Sequence, residues 1–162
     1  MTNEEKELLL KDLCGRLPYG VKIQVWSYWN GDYFDMKLLG IDLDEGDVLI
    51  ALPGDRCEIE KVKPYLRPME SMTEEEKIEL LKYMFGEEGL NNFHITNDGI
   101  VPNGYDEGCV EVGIGEFNLH WINFSNSNVA RYEDWLDKNM FDYRGLIPMG
   151  LALPAEEGMY NG

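Results

Sequence analysis

Residues 58–85 read EIEKVKPYLRPMESMTEEEKIELLKYMF, and the rest of the chain is organised around them. The stretch reads as a strand, a proline-bracketed turn and a capped amphipathic helix, between a hairpin-rich first part and a more acidic second part. Pro64 and Pro68 each fix φ and remove a backbone donor, which predicts an extended connection kept out of a sheet interior. Thr73 and Glu76 have the capping-box spacing, in which the hydroxyl accepts from the third helical amide and the carboxylate from the cap's own amide. Glu74 and Glu75 add charge where the helix dipole is positive. Ile78, Leu81 and Phe85 form one stripe with Leu80 and Met84 beside it, and Gly86 or Gly89 closes the helix.

Upstream, Thr2 and Glu5 repeat the capping spacing and predict a helix over residues 4–15. Its apolar face is Leu10, Leu13, Cys14 and Leu17, and Pro18 and Gly20 stop it. Val21, Ile23 and Val25 then alternate with Lys22, Gln24 and Trp26, the period of a strand. Asn30-Gly31 predicts a type I′ hairpin turn, because both central residues need positive φ. A second strand follows with Leu39, Ile41 and Leu43 on one face, then an apolar run over residues 48–52 and a strand over 57–62, each after a turn.

Downstream, residues 93–96 and the run after Asn97-Asp98-Gly99 predict a hairpin, and residues 109–114 and 117–124 predict another strand pair. Residues 125–128, SNSN, lead into a third helix with Val129, Tyr132, Trp135 and Leu136 on its apolar face. The expected fold is α+β: an antiparallel meander or small barrel flanked by helices, with a second hairpin-rich segment. It forms one domain over residues 1–155, or subdomains 1–70 and 71–155, with 156–162 as a frayed tail.

A chain of 162 residues can bury a sizeable core without metal or disulfides. Cys14, Cys57 and Cys109 lie far apart, which fits reduced, mostly buried thiols rather than a disulfide framework or a zinc site. The opening MTNEEKELLL is acidic where a secretion signal is basic, and no apolar run approaches a bilayer span. Both features predict a cytoplasmic protein without membrane contact. The net charge is −17: residues 1–72 carry 9 basic and 14 acidic side chains (−5), and 73–162 carry 5 and 17 (−12). Such a field repels nucleic-acid backbones and attracts basic partners.

No sequence motif for bond chemistry stands out. Asp42, Asp44 and Asp47 suggest a calcium loop, but the sixth and twelfth positions counted from Asp42 are Asp47 and Pro53, where glycine and glutamate are needed. A solvated turn is the better reading, and no metal or cofactor is expected. Gly113-Ile114-Gly115 lacks the third glycine of a dinucleotide fingerprint. His94 and His120 are the only imidazoles, and a Cys109–His120 nucleophile–base pair is outweighed by a buried structural thiol. Arg67 and Arg144 sit in turns of an acidic chain, where internal ion pairing or carbonyl capping is expected.

Trp26, Tyr28, Trp29, Tyr33 and Phe34 crowd the Asn30-Gly31 hairpin. Period two sets Trp26 and Tyr28 on the face opposite Val21, Ile23 and Val25, and cross-strand pairing brings Tyr33 or Phe34 to them. Either another element covers this face, or it is an exposed aromatic patch of the kind enriched at interfaces. The five aromatics are the candidate binding site.

Residues 63–69 (KPYLRPM), 71–76 (SMTEEE), 134–136 (DWL), 141–147 (FDYRGLI) and 150–153 (GLAL), with 5–14 (EKELLLKDLC) and 17–21 (LPYGV), resemble a widespread group of short uncharacterised proteins of gut bacteria and their phages or prophages. Residues 24–60 and 86–128 are outside the likeness. The group carries no assigned activity, so the resemblance supplies no catalytic residue; it implies a mobile element in a bacterial cytoplasm. Together these readings predict a non-enzymatic acidic accessory protein that binds a protein partner. The alternatives are an inhibitor that mimics DNA towards a host nuclease or restriction factor, and a small hydrolase with an unrecognised site.

Overall fold

Both capping boxes form. In a computed structural model describing residues 1–27, 31–42, 48–52, 55–95, 100–102 and 126–160, helix α1 (Asn3–Arg16) starts at Thr2 and helix α2 (Glu74–Gly89) at Thr73. Thr2 Oγ1 accepts from Glu5 N at 3.2 Å while Thr2 N donates to Glu5 Oε2 at 2.7 Å. Thr73 and Glu76 make the same exchange at 3.2 and 2.9 Å. Each box satisfies two of the amides that a helix start leaves unpaired. Gly86 adopts φ +73 and kinks α2 three residues before its end, a conformation that glycine takes without the steric cost of a Cβ.

The chain divides into two compact units, Met1–Arg67 with Asp137–Gly162, and Pro68–Leu136. The fold is α+β, and the larger sheet belongs to the first unit. Its strands are β1 (Lys22–Ser27), β2 (Asp32–Lys37), β6 (Val62–Leu66) and β9 (Leu153–Pro154), in the order β2-β1-β6-β9. β1 is antiparallel to β2 and β6, whereas β9 runs parallel to β6. A separate antiparallel meander holds β3 (Gly40–Asp42), β4 (Val48–Leu52) and β5 (Asp55–Glu58). Val21, Ile23 and Val25 are buried as their alternation predicts, in a core with Leu9, Leu13, Leu38, Ile59, Val62, Leu66, Met140 and Leu146.

Four expectations need correction. The apolar face of α1 is rotated: Leu9, Asp12, Leu13 and Arg16 are buried, whereas Cys14 is exposed. Asp12 and Arg16 go inside because each neutralises the other there. The turn after β1 is longer than a two-residue Asn-Gly turn, because Ser27 pairs with Asp32 and Gly31 N donates to Ser27 O at 3.0 Å. Gly31 supplies positive φ at the loop's end. The predicted second strand splits, for Leu38 is buried, Leu39 is 52% exposed, and the chain passes there from β2 to the other sheet.

The fourth correction concerns Pro64, which lies inside a central strand. Leu38 N donates to Val21 O at 2.9 Å, so the odd residues of β1 bond towards β2 and the even ones towards β6. Ile23 and Pro64 are therefore a non-hydrogen-bonded pair, and the proline withholds no amide from β1. Pairing with β9 begins only at Tyr65.

In the second unit the buried apolar side chains are Leu80, Leu81 and Met84 of α2, Trp135 and Leu136 of helix α3 (Asn126–Lys138), and Met72 from the segment before α2. Tyr83 donates to Asp134 Oδ2 at 2.7 Å. The predicted hairpin forms from β7 (Phe93–Ile95) and β8 (Ile100–Pro102), and Phe93 stacks on Phe85 with ring centroids 5.2 Å apart. The strand pair expected over 109–124 lies outside the described residues.

Candidate functional site

The hairpin of β1 and β2 decides which candidate aromatics meet. Opposed residues in an antiparallel pair share a face. The register pairs Ile23 with Met36 and Val25 with Phe34 on the core side, and Lys22 with Lys37, Gln24 with Asp35 and Trp26 with Tyr33 on the outer side. Trp26 and Tyr33 accordingly meet edge to face, with centroids 4.8 Å apart and planes at 69°. Phe34 is on the opposite face. Tyr33 is 54% exposed and Phe34 38%. Tyr28 and Trp29 lie outside the described residues.

Beside the aromatic pair runs a polar array that spans three strands. Tyr65 on β6 donates its hydroxyl proton to Asp35 Oδ1 on β2 at 2.7 Å and accepts from Gln24 Nε2 on β1 at 3.0 Å. Burial, then the hydrogen bond and charge of Asp35, push the Tyr65 phenol above its ordinary value, so it remains a donor at neutral pH. Sequence reading missed this array. Period two already grouped Gln24 with Trp26, but nothing local indicates that β6 returns beside β1.

Tyr160 fastens the sheet at one end. Its hydroxyl accepts from Lys22 N at 3.1 Å and donates to Tyr65 O at 2.7 Å, bridging β1 and β6 just past their last paired residues. Lys22 Nζ donates to Met159 O at 2.7 Å. The stretch expected to fray is held at Tyr160 by these bonds.

The buried carboxylates belong to a different cluster. Asp12 accepts from Arg16 Nε and NH2, both at 2.8 Å, and from Arg144 NH1 at 2.9 Å. Asp137 accepts from Arg144 NH1 at 3.0 Å, and Arg16 NH2 also donates to Phe141 O at 2.8 Å. The four charges sum to zero and connect the first helix to a segment more than a hundred residues later. Arg144 thus has the internal ion pairing expected of it, and the Arg67 guanidinium lies 4.2 Å from the Phe141 ring centroid. Gly15 makes room for the cluster, because a Cβ there would collide with Asp137 Oδ2 and lie 3.1 Å from its Cγ. Burial holds the Asp137 carboxyl above the ordinary range, against the pull of Arg16 and Arg144. Asp142 accepts from Leu146 N at 2.7 Å and Ile147 N at 2.8 Å, which closes the following turn.

These carboxylates are committed to structural partners. Burial pushes the Cys14 and Cys57 thiols up, away from the depressed values that activate a nucleophile. His120, Cys109 and the His94 side chain lie outside what the structure describes, as do Asp44, Asp47 and Gly113–Gly115. Among the described residues no three His, Cys, Asp or Glu side chains group to hold a metal ion, and no helix is long and apolar enough to cross a membrane. No protein-family model, curated protein or solved structure matches the chain.

Proposed function

We propose that this chain is a non-enzymatic acidic interaction protein, an accessory of a phage or other mobile element, that binds a protein partner through the β1–β2 hairpin. One observation carries the reading: Tyr33 and Phe34, two large aromatics on a strand with a fixed register, are 54% and 38% exposed. Tyrosine in particular is favoured at protein interfaces, because its large rigid ring buries apolar area at small entropic cost. The Tyr65 array supports the reading by fixing the strands beneath, so a partner meets a surface already in shape.

The test is affinity capture from a host lysate with the wild-type chain and with a Tyr33→Ala/Phe34→Ala variant. A specific partner retained by the wild type and lost from the folded variant is the expected result. Equal capture by both removes the hairpin as the site. A second reading, an inhibitor presenting carboxylates to the cationic groove of a nuclease, is favoured by the −12 carried on residues 73–162 and by Glu74, Glu75 and Glu76 in the first turn of α2. That reading requires DNA to compete with the chain for the captured partner, and binding that weakens steeply with salt.

A further inference from the structure

We infer that β2 is a docking edge for an extended cationic segment of the partner, which adds to the sheet as a further antiparallel or parallel strand. The inference rests on the interaction reading above and says how the hairpin is engaged. β2 ends the described strand order on its side of the sheet. Its register with β1 is unbroken from Asp32 to Lys37, with no bulge, glycine or proline to spoil pairing on the far side. Since Leu38 N bonds Val21 O, the backbone groups of Phe34 and Met36 face β1, and those of Tyr33, Asp35 and Lys37 face away from it. A row of outward amides and carbonyls of this kind is what an added strand pairs with.

The side chains say what kind of strand fits. Asp32, Tyr33, Phe34, Asp35 and Lys37 are all exposed. Tyr33 and Phe34 project from opposite faces, so an incoming strand meets an aromatic ring on each side. Asp32 and Asp35 place two carboxylates along the same edge of a chain of net charge −17. Lys37, the one basic residue of β2, packs at Gly20 instead, its Nζ 2.7 Å from where a Cβ on that glycine would stand. A second copy of this chain is disfavoured as occupant, because it would bring two bodies of −17 together along strands that each carry two aspartates. Asp32 Oδ1 accepts from Tyr33 N at 2.8 Å, so one outward amide is shielded in the free protein and an incoming carbonyl must displace that carboxylate. Among the described residues the open donors are therefore the amides of Asp35 and Lys37.

Residue-resolved amide hydrogen exchange on the full chain tests the proposal with a defined probe, an alternating Lys–Val octapeptide. In the free protein the amides of Phe34, Met36 and Leu38 should exchange slowly and those of Asp35 and Lys37 quickly. Adding the peptide should slow Asp35 and Lys37 about tenfold or more. The Glu–Val counterpart, and a Lys–Val peptide with proline at its centre, should leave them fast. No protection at millimolar Lys–Val peptide, or equal protection by the proline peptide, overturns the docking edge. So does protection of Asp35 that rises with protein concentration alone, which would make a second copy the occupant. Partner capture that needs Tyr33 and Phe34 while the edge stays unprotected leaves the interaction reading standing and removes only the strand. Capture indifferent to both aromatics, with the edge protected by peptide, removes the aromatic reading instead.

Discussion

Two regions of the same unit invert the usual relation between polarity and burial, in opposite directions. Asp12 and Arg16 are fully buried, with the Asp137 and Arg144 side chains nearly so, while Tyr33 and Phe34 on β2 are 54% and 38% exposed. The charged cluster tolerates burial because both Asp12 oxygens accept from guanidinium donors and the four charges cancel. The aromatics tolerate exposure because β2 is held by its ladder to β1 and by Asp35 bonded to Tyr65. Local polarity is thus a poor guide to which side chains hold this fold together. Stability should concentrate in the charges and binding in the rings.

The largest effect should come from breaking the cluster. Arg16→Met leaves the fully buried Asp12 carboxylate without its two-pronged partner, and we expect a loss of about 3–5 kcal/mol in urea unfolding. A loss near zero would mean that Arg144 alone satisfies Asp12. Next is Gly15→Ala. Within a helix alanine ordinarily gains up to about 1 kcal/mol over glycine, and less in the last turn, where Gly15 lies. Here the added methyl strikes Asp137, and the expected sign reverses to a loss of about 1–3 kcal/mol. A more stable variant would show that Asp137 moves aside without cost.

The pH dependence sharpens the same comparison. Asp137 has its carboxyl raised by burial, so the folded chain holds that proton more tightly than the unfolded chain does. Its contribution to stability is therefore full at low pH and is lost as pH rises through the raised value. Relative to wild type, Asp137→Asn should gain stability between the acid side of the ordinary carboxylate range and neutral pH, as read by thermal melting across that range. The opposite slope would mean that the two arginines outweigh burial.

Smaller effects are expected on the sheet face. Tyr65→Phe removes a donor to Asp35 and an acceptor for Gln24, both partly solvated, and should cost about 1 kcal/mol in the same unfolding assay. Tyr33→Ala/Phe34→Ala should cost no more than that, about 0.5–1 kcal/mol per site by chemical denaturation, for the lost pairs with Trp26 and Val25. A large loss there would show the rings to be part of the core and would remove the contrast.

How much of this was legible follows from the range of each interaction. Thr2 with Glu5 and Thr73 with Glu76 are three residues apart, and both boxes form where their spacing put them. Val21, Ile23 and Val25 lie on the buried face that their alternation assigned, and with it Trp26 on the other. The α1 face was misread because Asp12 and Arg16 look like solvent residues until Arg144 and Asp137 are placed beside them. Pro64 was misread for a related reason: a missing amide matters only on the side of the strand that needs one, and that side is set by the register with β1.

The amino-acid order by itself determined the helix starts, the period of the strands, the acidic balance and the crowding of aromatics around one hairpin, since each depends on residues within a few positions. Tertiary structure alone decided which charges go inside, that Tyr65 and Tyr160 tie β6 to β1, and that Tyr33 rather than Phe34 meets Trp26. Those outcomes depend on contacts between residues far apart in the chain, and no local pattern records the partner that makes a buried charge or a strand proline acceptable.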